Sequence, residues 1–310
     1  MKYRNFLYSL ISTQKAILER MSVNYLSPLT ISEATDLLSK NSGSTKILSG
    51  GTDLLVSMRL SKQNPDTIVD IKNIAQTREI IVEDNLVSIG AAVPAIQITE
   101  HPQMNEMFPG LVEATELIGS SQIQSRASIG GNLCNASPAA DTVPSLVAND
   151  AQCHIAGPRG ERIVSVNRFC TGPGKNILEA DEFLVKLVIP LPKDQTSDAY
   201  LRFTPRNEMD IAVVGAGVSV SLDKSGTCKS ARVALGAVAP TVMLVAEAAD
   251  VLIDSKLEDS DLNKLASLVS NASKPITDKR GTSEFRKHVV GVLAKRATLA
   301  AKNRIIAKSK

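Results

Sequence analysis

Between Leu29 and Lys40 the apolar positions recur three and four apart. In LTISEATDLLSK, Ile31, Ala34, Leu37 and Leu38 share one face of a predicted helix, with Thr30 or Ser32 placed to cap it and Glu33 in its first turn. After the turn residues NSGST, KILSGGTDLLVSMR reads as a short apolar strand that breaks at a glycine pair and resumes as a helical or irregular segment. TIVDI and LVSIGAAV are β-branched runs of strand length, and Pro109 and Gly110 precede a helix through LVEATELIG. AQCHIAG, a turn at PRGE and then RIVSV predict a hairpin, and FLVKLVIPLP predicts a strand stopped by its prolines.

From Tyr200 the pattern changes. DIAVVGAGVSVSLD, a turn at KSGT and CKSARVALGAVAPTVMLV predict two or three long antiparallel strands, and helices follow over AADVLIDS, DLNKLASLVSNAS and SEFRKHVVGVLAKRATLAAKNRI. Strands followed by helices indicate a separate α+β unit. The polar, proline-flanked LPKDQTSDA is the expected boundary. It divides the chain into an N-terminal extension at 1–20, a first domain at 21–196 and a C-terminal α+β domain at 197–310.

Charge and composition narrow the chemistry. The 35 basic residues nearly match the 32 acidic ones and aromatics make up 3%, so nucleic-acid binding is not expected. No apolar run reaches the roughly eighteen residues of a membrane span, and MKYRNFLYSLISTQKAILER lacks the apolar core and cleavage site of a secretory signal. Cys134, Cys153, Cys170 and Cys228 are too scattered for a zinc or iron–sulfur motif and fit reduced thiols in the cytoplasm. His101, His154 and His288 show no serine or cysteine partner, so nucleophilic catalysis has no anchor.

What stands out is SGGTD at 49–53 and SIGGN at 128–132. A glycine pair beside small polar residues lets a ligand approach the main chain, and successive N–H groups facing one concavity make an anion nest. Two such loops converging would hold a diphosphate. Asp53 could cap a helix or bind a ribose, and Asp141 could start the helix TVPSLVAND, for which Thr142 is an equal cap. Two decoys are set aside: GAGVSV continues as a strand instead of opening a helix, and TGPGKN lacks the glycine and hydroxyl of a phosphate loop and reads as a turn.

ILSGGTDLL, SIGGNLCNASPAADTVPSL, TGPGKNIL and RNEMDIAVVGAGVSV, in this order and at these separations, closely resemble the FAD-binding medium subunit of the molybdenum hydroxylases, the xanthine dehydrogenase and carbon monoxide dehydrogenase family. The similarity runs from about Tyr25 to about Arg304. It implies an α+β fold: a two-subdomain α/β region of the PCMH type that binds FAD, then an antiparallel sheet with helices. It also implies that Ile47, Leu48, Ser49, Gly50, Gly51, Thr52, Asp53 and Leu54 wrap the FAD diphosphate and adjoining groups, while Ser128, Ile129, Gly130, Gly131 and Asn132 close on it from the other side. By the same resemblance Asn135 and Ser137 lie along the cofactor, Asp141 bonds its ribose or adenine end, and Leu184 borders the adenine or the ring system. Arg202 approaches the flavin, and Ile118 stands where some members carry an aromatic residue near it.

The expected role is electron transfer, with the flavin carrying the chemistry and no catalytic residue or metal ligand on this chain. The expected partners are an iron–sulfur small subunit and a large subunit bearing the molybdenum cofactor, with NAD as a possible acceptor. A stand-alone flavin oxidoreductase of the same fold is the alternative. The chain lacks the cysteine-rich insertion of members that reduce aromatic acyl-CoA compounds, so no cluster of its own is expected.

Overall fold

The first element along the described chain is one strand of a small parallel sheet. β1 (Asn24–Leu26), α1 (Ile31–Lys40), β2 (Thr45–Leu48), α2 (Leu54–Arg59) and β3 (Thr67–Asp70) follow one another, and the strands lie side by side as β1-β3-β2. The computed structural model describes residues 23–40, 44–60, 62, 64–193, 195–206 and 209–308; the extension read at 1–20 lies outside them. β3 is central and buried at every position, with Ile68 and Val69 in its middle and the polar Thr67 and Asp70 at its ends. Thr30 caps α1: its Oγ1 accepts from Glu33 N at 3.1 Å, and Glu33 Oε2 accepts from Leu29 N at 2.8 Å. Because the strands are parallel, the first glycine pair leaves β2 at their carboxyl edge, where such sheets present ligand sites.

The second unit begins with β4 (Ile80–Val82) and β5 (Leu86–Gly90). The chain then runs through α3 (Ala95–Thr99), α4 (Pro102–Met107), α5 (Pro109–Glu116), α6 (Ser121–Gln124), α7 (Ile129–Cys134) and α8 (Thr142–Ala148). It returns as β6 (Gln152–Gly157), β7 (Gly160–Ser165), β8 (Cys170–Gly172), β9 (Lys175–Asn176) and β10 (Phe183–Pro190). Five strands make an antiparallel sheet in the order β4-β5-β10-β6-β7, with the predicted hairpin as β6 and β7, and β8 pairs with β9 apart from it. One apolar cluster runs through both units, from Leu38 and Val69 to Ile89, Ile129, Leu146 and Leu187.

The pattern predicts a loop at each glycine pair, and the structure keeps it only at the first. SIGGN is the opening turn of α7, capped by Ser128, whose Oγ accepts from Gly131 N at 3.0 Å.

The last unit is an antiparallel sheet of β11 (Thr196–Phe203), β12 (Val214–Leu222), β13 (Cys228–Gly236) and β14 (Met243–Leu244), in that order. α9 (Glu247–Leu252), α10 (Asp259–Ala272) and α11 (Ser283–Lys308) complete it, and Val214, Ala216, Val218 and Val220 share their apolar core. Two details depart from the sequence pattern. β11 begins inside the polar stretch read as a boundary, and β12 starts only at Val214, after the apolar DIAV. GAGVSV is a strand, as read, and its glycines make room. A Cβ on Gly215 would meet Tyr200 Oη at 2.5 Å, and one on Gly217 would meet the Pro144 backbone of α8 at 2.6 Å.

β11 escaped prediction because its polar residues are consumed by buried partners. Asp198, 2% exposed, accepts from Gly110 N at 2.8 Å, Leu111 N at 3.1 Å and Asn149 Nδ2 at 2.7 Å, so a strand of the last sheet caps the helix α5 of the unit before it. Arg304 of α11 donates to Asp198 O at 2.6 Å and pairs with Glu113, whose Oε2 also takes the Tyr200 N–H at 3.0 Å. Replacing Asp198 by alanine orphans the buried Gly110 and Leu111 amides and takes one of two acceptors from Asn149 Nδ2. Denaturant unfolding of Asp198→Ala should show a loss of roughly 3 kcal/mol, and a loss below about 1 kcal/mol would mean that this junction does not hold the units together.

Candidate functional site

The turn after β2 packs on the backbone just before α7, and the first turn of α7 packs on the backbone just after β5. A Cβ on Gly50 would lie 2.2 Å from Arg126 O, and one on Gly130 would lie 2.5 Å from Ala91 O, so neither position has room for a side chain. Gly51 takes φ +79°, which lets the chain turn back from β2 into α2. Ser49 Oγ donates to Ala91 O at 3.0 Å and lies 2.8 Å from Ser128 Oγ, sewing the two segments together.

Beside this seam opens a cavity of about 470 Å³. Its wall includes Ile47, Ser49, Gly50, Gly51, Thr52, Asp53 and Leu54 from the first segment and Ser128, Gly130, Gly131 and Asn132 from the second. Ile118, Asn135 and Leu184 line it as well. Leu48 packs beneath the turn, with its Cδ1 2.8 Å from where a Gly51 Cβ would stand, and Ile129 is fully buried in the core. Ser137 Oγ accepts from Ala139 N at 3.3 Å, in a local turn away from the wall.

The donor set suits an anion. Among the described residues no protein acceptor answers the backbone N–H groups of Gly50, Gly51, Thr52 and Asp53. At α7 the Gly131 N–H is already taken by Ser128 Oγ, which leaves the first turn as the richer source of free amides. Asp53 sits at the start of α2 without capping it, and burial raises its carboxyl above the usual range. The cavity is also walled by residues the sequence reading passed over. Gly174 and Asn176 belong to the TGPGKN turn set aside as a decoy. The Gly174 N–H donates to Ala136 O at 2.9 Å and Asn176 Nδ2 to Cys134 O at 2.9 Å, which ties the β8–β9 ribbon to the end of α7. Their signal was the recurrence of that motif in register with the others, since no phosphate-loop spacing marks them. Glu182, held below its usual range chiefly by the Arg162 guanidinium, closes the wall near Leu184.

Asp141 and Arg202 stand elsewhere. Arg202 Nη1 donates to Asp141 Oδ2 at 2.6 Å and Tyr200 Oη to Asp141 Oδ1 at 2.8 Å, at the junction between α8 and β11, and neither residue lies on the cavity wall. Nor does Asp141 cap α8; Thr142 Oγ1 donates to Asn132 Oδ1 at 2.7 Å, linking α8 to the second glycine segment.

Comparison with known proteins decides the family. Residues 20–192 match the FAD binding domain in molybdopterin dehydrogenase, and residues 199–301 the CO dehydrogenase flavoprotein C-terminal domain. The chain belongs to this family of FAD-binding oxidoreductase subunits. It is 34% identical over 275 residues to the xanthine dehydrogenase FAD-binding subunit of Escherichia coli, covering 88% of this chain and 94% of that one. It is 31% identical to the carbon monoxide dehydrogenase medium chain of Hydrogenophaga pseudoflava, covering 89% and 96%. A solved carbon monoxide dehydrogenase structure from the latter organism superposes with a TM-score of 0.87 at 30% identity, over 91% of this chain and 98% of that one. FAD is therefore the cofactor of this family member, and the free amides, the close backbone approach and the cavity fit it. Among the described residues no helix is long and apolar enough to cross a membrane, and no group of three His, Cys, Asp or Glu could hold a metal.

The Asp141 pair carries a pH signature. Burial pushes its carboxyl up to about 6 from 3.8, against the opposing pull of Arg202 and Tyr200. A carboxyl that titrates higher in the folded state favours folding fully below about pH 4, and that contribution is lost as pH rises through about 6. The stability of the native chain relative to Asp141→Asn should therefore fall between pH 4 and 6 and level off above. A flat or rising difference in thermal midpoint would show that Arg202 outweighs the burial.

Proposed function

We propose that this chain is the electron-transferring FAD subunit of a heteromeric molybdenum hydroxylase, with FAD held in the cavity between the two glycine pairs. The observation that carries the reading is the convergence on one cavity of both glycine segments, with a row of unanswered backbone amides on the first, in a chain of this family. A diphosphate on Gly50, Gly51 and Thr52 is bound by main-chain dipoles, so an excess of lysine is not required. Asp53 stands beside those amides for a ribose hydroxyl, and Leu184 and Ile118 supply apolar wall. Asn132 and Asn135 offer side-chain amides along the same wall.

The flavin, when bound on Gly50, Gly51 and Thr52, would supply the redox chemistry that links iron–sulfur clusters on a small partner chain and a molybdenum centre on a large one to an acceptor such as NAD. Relatives named as a nicotinate dehydrogenase FAD-subunit and as carbon monoxide dehydrogenase medium chains support a multichain assembly. The four cysteines are unbridged, in keeping with the cytoplasm. The side chains themselves bind, orient and exclude water. Cys134 at the cavity wall is no thiolate nucleophile, because burial raises its thiol to about 12.

The test is the visible spectrum of the purified chain with mass analysis of what denaturation releases, followed by the same on Gly131→Val. A Cβ at Gly131 would already touch Ser128 Oγ at 3.0 Å and point towards Ser49, so a branched side chain wedges into the seam. The native chain should release FAD and the variant should come out colourless but folded. A variant that stays fully yellow overturns this placement. Coexpression should bring molybdenum and iron–sulfur chains down with the native protein, and a chain whose flavin is reduced by substrate unaided would instead be a self-sufficient oxidoreductase.

A further inference from the structure

We infer that Lys72, which is not on the cavity wall, is a positioning residue for the cofactor site: its ammonium sets the direction and the donor strength of the Gly50 amide. The inference rests on the reading that this turn binds a diphosphate. Lys72 follows β3 in a short 3-10 turn, Ile71–Asn73, and its Nζ donates to Ser49 O at 3.1 Å and to Asp70 Oδ1 at 2.7 Å. Asp70 is itself fixed: its Oδ1 also accepts Lys72 N at 3.0 Å, and its Oδ2 accepts the Tyr25 hydroxyl. Desolvation opposes ionisation of Asp70, but the bonds from Lys72 and Tyr25 prevail and hold its carboxyl below the usual range. The ammonium is thus anchored by a charged partner before it reaches the turn.

The consequence follows from the peptide plane. Ser49 C=O and Gly50 N–H belong to one planar trans unit and point in opposite directions. A cation that grips the carbonyl oxygen from the β3 side therefore turns the N–H away from β3, and Ser49 and Gly50 both line the cavity while Lys72 does not. The same contact withdraws electron density through the amide, which makes its N–H a stronger donor. Ser49 is held at its other end by Ala91 O and Ser128 Oγ, so the unit cannot swing to follow a ligand. A positive charge is in this way delivered to the anion site through a peptide bond, without a lysine side chain occupying the space the ligand needs.

The test uses the full chain, stripped of cofactor and titrated with FAD and separately with ADP, in the native form and as Lys72→Met and Lys72→Arg, with Gly131→Val as a control on the site. Lys72→Met should weaken both ligands by about tenfold, the lower end for a lost charge-assisted hydrogen bond, and should also lower the thermal midpoint of the apo chain, because the buried Asp70 keeps only Tyr25 and a backbone amide as partners. Lys72→Arg, which keeps the charge and a donor, should recover most of the affinity. Unchanged affinity in Lys72→Met overturns the inference. So does a loss that arginine does not recover, since that marks a structural role only. If Gly131→Val abolishes FAD binding while Lys72→Met does not, the cofactor site stands and only the role of Lys72 falls; if Gly131→Val keeps FAD, the site itself is misplaced.

Discussion

Two stretches of backbone, the turn that leaves β2 and the segment that joins α6 to α7, are brought closer together than side chains would permit. The turn at Gly50 lies against the carbonyl of Arg126, and the first turn of α7 lies against Ala91 through Gly130. Everything at the cavity depends on this approach. It brings Ser49 and Ser128 within hydrogen-bonding distance and leaves the amides of the first turn beside the opening instead of beneath a side chain. The closeness has a cost in conformational entropy at each glycine, and the shared apolar core that runs from Leu38 to Leu187 supplies the burial that offsets it.

The last sheet meets the rest of the chain by a different kind of contact. Gly217 and Gly236 admit Pro144 of α8, while Asp198 reaches across to the amides that open α5. Asp141 is answered from the same strand by Tyr200 and Arg202. Polar groups here are buried but paired, which makes the junction specific in its geometry, because a shifted register would strand charges with no water to receive them. One strand, β11, carries Asp198, Tyr200 and Arg202, so the docking of the last unit and the environment of Asp141 are set together.

A site for a dianion in a chain of nearly balanced charge needs no cluster of cations. Main-chain dipoles suffice to attract an anion where a ligand must fit closely, and here the Lys72 ammonium sits behind the turn, on Ser49 O. Of the acidic groups at the wall, Glu182 is held by Arg162, and the Asp53 carboxyl has no partner among the described residues.

Most of the elements were legible along the chain because their signals are local. The face of α1, the β6–β7 hairpin, the run of β10 and the three closing helices follow from apolar spacing and turn residues within a dozen positions. The two glycine pairs were legible as candidate anion sites, and in register with two further motifs they pointed to the family and its cofactor. What spacing could not reveal is decided by partners distant in the chain. Whether SIGGN is a loop or the start of a helix depends on Ser128 finding Gly131 while Ser49 arrives from 79 residues away. The start of β11 in the polar stretch at 191–199 was not legible, because Asp198 is partnered by residues near 110 and 149. Asp141 and Arg202 are separated in sequence by 61 positions and meet only once β11 is laid against α8. Periodicity reports which face of an element is buried, but the pairing of buried polar groups is a property of the assembled tertiary structure alone.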